Sequence, residues 1–226
     1  MIDLTELKTV LKPMDVIMTV PHWSWSYLYQ PWKIPMYLVG KEIQKYQKET
    51  WSDWFSQSVH TRLYFDDDHI FEVTFPKSQW TTLQNIANED LRILHYVPFE
   101  FKQSEIDMAR FVASPLLGKW YDVLDLLAFY IAHVYSHSPE QENVISDLVG
   151  VGKGNLVCSS GVRSVYEGLR KRLEAQNDMR MKRLFPKPDG SDTLIEMTTP
   201  SHFDNSADFW LRACFKNAKS YYIAGK

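Results

Sequence analysis

Two residue types in this chain can serve as an activated nucleophile and its base, a thiol and an imidazole, and each needs a particular setting. Cysteine reacts as the thiolate, and its ordinary pKa of about 8.5 has to be lowered by a helix N-terminus or a neighbouring imidazolium. The sequence has two cysteines, Cys158 and Cys214. Cys158 opens CSSGVRSVYEGLRKRLEAQ, whose apolar positions Val162, Val165, Tyr166, Leu169 and Leu173 recur every three to four residues, so the thiol falls in the first turn of a predicted helix. A partner imidazole has to come from elsewhere in the chain. Among seven histidines, His60 begins the alternating segment HTRLYF; an acidic turn, Asp66-Asp67-Asp68, leads into HIFEVTF. A hairpin there brings Glu72 beside His60, and such a pair can hold base and orienting group together. On residue types alone the ordinary alternatives stand as well: a buried apolar cysteine, a strand histidine and a solvent-facing glutamate.

The elements that would position these groups follow from periodicity and breakers. Leu4, Leu7, Val10 and Leu11 predict a helix closed by Pro13, and VIMTV a strand after it. Residues 21–37 set six Trp and Tyr residues among three prolines, which predicts an ordered loop or lid, with a short helix at about 38–48. RILHYVPF reads as a strand, QSEIDMARFVASPLLG and VLDLLAFYIAHVYS as helices. Glycines 150, 152 and 154 form a loop into the Cys158 helix, PKPDGSD at 186–192 is a loop, and WLRACF and SYYIA are closing strands.

Composition sets the frame. With 226 residues, of which 45% are hydrophobic, one domain spanning 1–226 is expected. A net charge of −3 leaves no broad footprint for nucleic acid. Two cysteines make no disulfide framework, and MIDLTELKTVLKPMDVIMTV has acidic residues where a signal peptide carries positive charge. A cytoplasmic location is the default expectation, and a phage-encoded protein would read the same way.

Other signals have simpler explanations. His133 and His137 have the i, i+4 spacing of a zinc pair but lack the glutamate of H-E-x-x-H, and the three aspartates suit a hairpin turn better than a calcium loop. No metal or cofactor is expected. The basic stretch Arg170, Lys171, Arg172, Arg180, Lys182 and Arg183 reads as a solvated helix face, and Cys214 as packed and inert.

Several blocks, in order, resemble one family. MDVIMTV is similar to a Gly-Asp-Ile-Ile strand, SVHTRLYF to Ser-His-Val-Gly-Ile-Tyr, IFEVTF to the Glu-Ala strand that follows, GKWYDVLDLL to a Gly-x-x-Tyr-Asp helix start, LVCSSGVRSVYEGL to Phe-Cys-Ser-Glu-Leu-Val, and TTPSHFDNSADF to Thr-Pro-x-Asp-Leu. These are blocks of the YiiX-like branch of the NlpC superfamily, circularly permuted papain-like cysteine hydrolases in which the histidine precedes the cysteine. The resemblance runs from about residue 14 to 210. It implies an α+β fold, with an antiparallel sheet or small barrel packed against a helical portion. It assigns Cys158 as nucleophile, His60 as general base and Glu72 as orienting residue. Ser159 and Tyr121, in the matched blocks, are weaker candidates for substrate contact, as are Trp23 and Trp25 of the aromatic segment, which has no counterpart in the family and could equally cover the core. The chain departs from the pattern at Thr61-Arg62, at Ser160-Gly161 and at His202. The implied reaction is hydrolysis of an amide, in a peptide or a peptidoglycan stem peptide, through a thioacyl-enzyme. A lipid-directed acylhydrolase or acyltransferase with membrane contact, or a binding module without catalysis, are the other readings.

Overall fold

Pro13 ends the first helix and the chain turns back through Met14, whose φ of 72° lies in the left-handed region. Its amide donates to the Tyr64 carbonyl (2.7 Å), so the turn is tied at once to a distant strand. A computed structural model describes residues 4–20, 41, 44–45, 58–87, 89–122, 156–185, 198, 200–216 and 219–223. In these segments the elements are α1 (Leu4–Val10), β1 (Val16–Val20), β2 (His60–Asp66), β3 (His69–Val73), β4 (Ser78–Thr81), α2 (Leu83–Ile86), β5 (Asp90–Tyr96), α3 (Gln103–Ala113), α4 (Cys158–Ala175), α5 (Pro200–Asn205), β6 (Phe209–Lys216) and β7 (Lys219–Ile223). A 3₁₀ turn, Ser114–Leu116, closes α3.

The strands form one seven-stranded sheet, ordered β4-β3-β2-β1-β5-β6-β7, and each neighbouring pair is antiparallel. The fold is therefore α+β, and the sheet is open among the described residues, with β4 and β7 at its edges. Asp66 sets the β2–β3 hairpin by accepting from the Asp68 and His69 amides (3.0 and 2.9 Å) and pairing with Arg110. The acidic triplet thus acts as a turn, as its sequence predicts.

Alternation along the strands splits the core in two. Val16, Met18, Leu63, Phe65, Phe71, Val73, Leu94 and Tyr96 pack under α3 and α4, against Ile106, Ala109, Val162, Val165, Tyr166 and Leu169. Ile17, Tyr64, Ile70, Leu91 and Ile93 face the other way, against Leu7 and Leu11 of the α1 region and Leu83 and Ile86 of α2. Two glycines let the helices settle. A Cβ on Gly161 would lie 2.4 Å from Val73 Cγ2, and one on Gly168 would lie 2.4 Å from Val112 Cγ1, so α4 rests on β3 and α3 at contacts only a bare Cα permits.

Three elements, β4, α2 and α5, are additional to the sequence expectation. The aromatic segment 21–37, residues 123–155 with His133, His137 and the three glycines, and the loop at 186–192 lie outside the described residues. So does most of the helix expected at 38–48, of which Lys41, Gln44 and Lys45 are helical. The basic stretch is corrected in one respect. Arg170 is buried and paired with Glu167 and Glu174, and Arg180 holds Glu105 and Asp178, while Lys171, Arg172, Lys182 and Arg183 are exposed. No helix among the described residues is long and apolar enough to cross a membrane.

Candidate active site

Cys158 is the first residue of α4, preceded by the extended Val157. Its helix begins over the end of β2, and Sγ lies 3.8 Å from the Val59 carbonyl. His60 opens β2 and shares a sheet face with Arg62 and, across the hairpin, Glu72. Glu72 is directly opposite Arg62, which makes His60 its diagonal neighbour, and the contact closes at 3.1 Å between His60 Nε2 and Glu72 Oε1. With Nε2 engaged by the carboxylate, Nδ1 is the nitrogen left for the sulfur, and the imidazole hydrogen-bonds Cys158. The three residues expected from sequence to work together are brought together in one chain of contacts.

The electrostatics follow from those contacts. Burial raises the Cys158 thiol, but the opposing effects, led by the His60 charge and its hydrogen bond, outweigh it, and the net shift is downward. Burial and the Arg62 charge both disfavour imidazolium at His60; the thiolate opposite and Glu72 overcome them and carry it up to about 9. Against its own desolvation, Glu72 is held well below the usual carboxylate range by His60 and Arg62. These directions favour a thiolate–imidazolium pair over the neutral one, with a fixed carboxylate behind it.

Sequence reasoning missed the residue that fixes the carboxylate. Arg62 Nε donates to Glu72 Oε1 (2.7 Å), Nη1 to Thr19 Oγ1 (2.6 Å) and Glu89 Oε2 (2.8 Å), and Nη2 to Glu89 Oε1 (3.1 Å). Gln79 adds a longer contact to Glu72 Oε2 (3.4 Å). One buried guanidinium therefore ties β1, β2, β3 and the turn before β5 together behind the imidazole. The available signal was parity: Arg62 lies two residues from His60 on the same strand face.

The weaker candidates separate. Tyr121 is buried beside the site. Its amide donates to the Pro76 carbonyl (2.9 Å), it bridges to Leu156 just before Cys158, and burial together with the nearby Cys158 charge raises its phenol well above its ordinary value. Ser159, expected on the substrate side, is instead 2% exposed, and its hydroxyl donates to the Thr198 carbonyl. Arg163 Nη1 also reaches Thr198 Oγ1 (2.9 Å), so two residues of α4 pin the Thr-Pro segment. Trp23 and Trp25 lie outside the described residues.

Comparison of the sequence with protein-family models and with curated proteins gives no match.

No group of three or more His, Cys, Asp or Glu side chains suited to a metal ion occurs among the described residues. Cys214 offers a contrast within the same molecule: burial pushes its thiol up, against the partial opposition of Arg92. Arg92 itself pairs with buried Asp204 (2.9 Å), and burial lifts that carboxyl to about 7.

Proposed function

We propose that this protein is a cysteine hydrolase with the permuted papain-like arrangement that its sequence blocks resemble. It cleaves an amide, in a peptide or peptidoglycan stem peptide, through a thioacyl-enzyme. The observation that carries the reading is the continuous contact from Cys158, in the first turn of α4, through His60 to Glu72, with the thiol shifted down and the imidazole up.

Each group has a task in that reaction. The Cys158 thiolate attacks the substrate carbonyl, and the oxyanion collects near the amides of the first turn of α4, which have no acceptor within the helix. His60, protonated at rest, gives its proton to the leaving amine and then takes one from the water that hydrolyses the thioester. Glu72 keeps the ring aimed and offsets its positive charge, and Arg62 keeps Glu72 ionised and in place.

A generic acyl donor such as p-nitrophenyl acetate tests the chemistry before a substrate is known. The expected result is a burst of nitrophenol with an acetyl adduct that peptide mass spectrometry maps to Cys158, absent from Cys158→Ala. Unchanged turnover in Cys158→Ala, or an adduct on Cys214 alone, contradicts the reading. Peptides, peptidoglycan fragments and lipid esters offered to the same protein then sort the substrate class.

A further inference from the structure

Outside the triad, three buried polar groups could add to the chemistry. Asp15 is fully buried, with His95 at 2.6 Å and the Lys12 amide at 2.8 Å, and it serves the turn between α1 and β1. Arg92 and Asp204 pair with each other beside Cys214, beneath α5. Thr61 differs, because its hydroxyl has no hydrogen-bond partner among the described residues although the residue is 0% exposed.

The placement of that hydroxyl is fixed by the sheet. Thr61 shares the α4-facing side of β2 with Leu63 and Phe65. Two residues before it, on the same side, the Val59 carbonyl lies 3.8 Å from Cys158 Sγ. Across the hairpin, one step beyond the Arg62–Glu72 pair, is Val73, the residue on which Gly161 of α4 rests. The start of α4 is thus pressed onto Thr61, and the first side chain of that helix is Cys158. An unpaired hydroxyl at a dry contact is costly unless it has a use.

We propose that Thr61 holds the nucleophile from the strand side, its hydroxyl and amide both donating to the Cys158 thiolate while His60 holds it from the other. This rests on the proposed thiolate–imidazolium pair. The Val59 carbonyl accepts only from the protonated thiol, so it favours the neutral form, and the Thr61 donors tip the balance to the charged one. Among the described residues, the other titratable groups at the sulfur are His60 from β2 and Tyr121, beside Asp122, from the segment bridged to Leu156. Arg62 and Glu72 reach it through His60. Because Thr61 carries no charge, its contribution persists when His60 is neutral.

The test is the pH profile of Cys158 alkylation in full-length Thr61→Val, Thr61→Ser and His60→Ala, read against wild type. Thr61→Val keeps the shape and removes the donor. The acid limb should move up by about one pH unit, with roughly tenfold less thiolate on its lower side, while Thr61→Ser stays near wild type. Should the valine variant fail to fold, Thr61→Ala against Thr61→Ser isolates the same oxygen. An unshifted limb in the donor-free variant, or an equal shift in Thr61→Ser, overturns the proposal. If His60→Ala loses low-pH reactivity while the donor-free variant does not, this proposal fails alone and the triad stands. If neither variant changes, both fail.

Discussion

Arg62 acts on the proposed base in two opposing ways. It fixes and ionises Glu72, which favours imidazolium, and its own charge disfavours imidazolium directly. Replacing Glu72 with Gln removes the favourable partner, so His60 should titrate below about 9 in an NMR pH series of the imidazole protons. A value unchanged in Glu72→Gln contradicts the orienting role. The same substitution takes one buried carboxylate from Arg62. Because Glu89 still holds the guanidinium, the stability loss should sit near the lower end for breaking a buried pair, about 3 kcal/mol by denaturant unfolding. Arg62→Lys should lose nearly as much stability as Arg62→Met in the same unfolding measurement, since a single ammonium cannot span Thr19, Glu72 and Glu89 as the guanidinium fork does. At this scale the grouping of Cys158 with His60 and Glu72 was legible only in part from types and spacing, which fit a helix start and a strand hairpin, and the resemblance singled it out from the ordinary alternatives. Arg62 and Thr61 were not legible, because a charged or hydroxyl residue in an alternating segment reads as the solvent face until the second layer over the sheet is known.

At the scale of elements, the site depends on how closely α4 approaches β3. Gly161 departs from the family pattern in the sequence, yet here it is the point of closest contact, with Val73 in the way of any added Cβ. Val73 is β-branched and buried, so it cannot swing aside. Gly161→Ala should therefore cost about 1–3 kcal/mol and, by lifting the helix start from β2, weaken Cys158 alkylation at low pH. Adding Val73→Ala restores space, so the double variant should recover reactivity. Full reactivity in Gly161→Ala alone would show that the helix start does not depend on this contact. Strands and helices with strong periodicity, such as β2, β3 and α4, could be read from sequence. The short β4, α2 and α5 could not, because four to six residues hold too few apolar positions to define a period, and tertiary contacts decide their conformation.

For the molecule as a whole, proton counting links the site to stability. Taken singly, His60, raised, contributes stability that is complete below its ordinary 6.5 and lost as pH rises through about 9. Cys158 and Glu72, both depressed, contribute stability that is complete above their ordinary values and lost as pH falls through their folded ones. Acidification through the folded thiol value therefore removes the Cys158 part of the stabilisation, and alkalinisation through about 9 removes the His60 part. Thermal scans of wild type and Cys158→Ala should show the wild-type advantage shrinking on acidification; a gap that widens contradicts the ion pair. Distant packing should be separable from the chemistry. Leu173, near the far end of α4, is buried, and Leu173→Ala should cost about 2–5 kcal/mol while leaving the Cys158 pH profile in place. Alternation and turns marked the strands and the β2–β3 hairpin, while the α+β class with an antiparallel sheet was implied by the resemblance. The open seven-strand order was not, because non-local pairings such as β1 with β5 leave no local mark in the sequence.

The most direct test of the thiolate–imidazolium pair is the pH dependence of iodoacetamide alkylation, resolved by peptide mass spectrometry into Cys158 and Cys214, in wild type and His60→Ala. Cys158 should react well below the ordinary thiol pKa of about 8.5 and lose that reactivity without His60, while Cys214 reacts only at higher pH in both proteins. A Cys158 that titrates as an ordinary thiol, or whose profile ignores His60, would contradict the account.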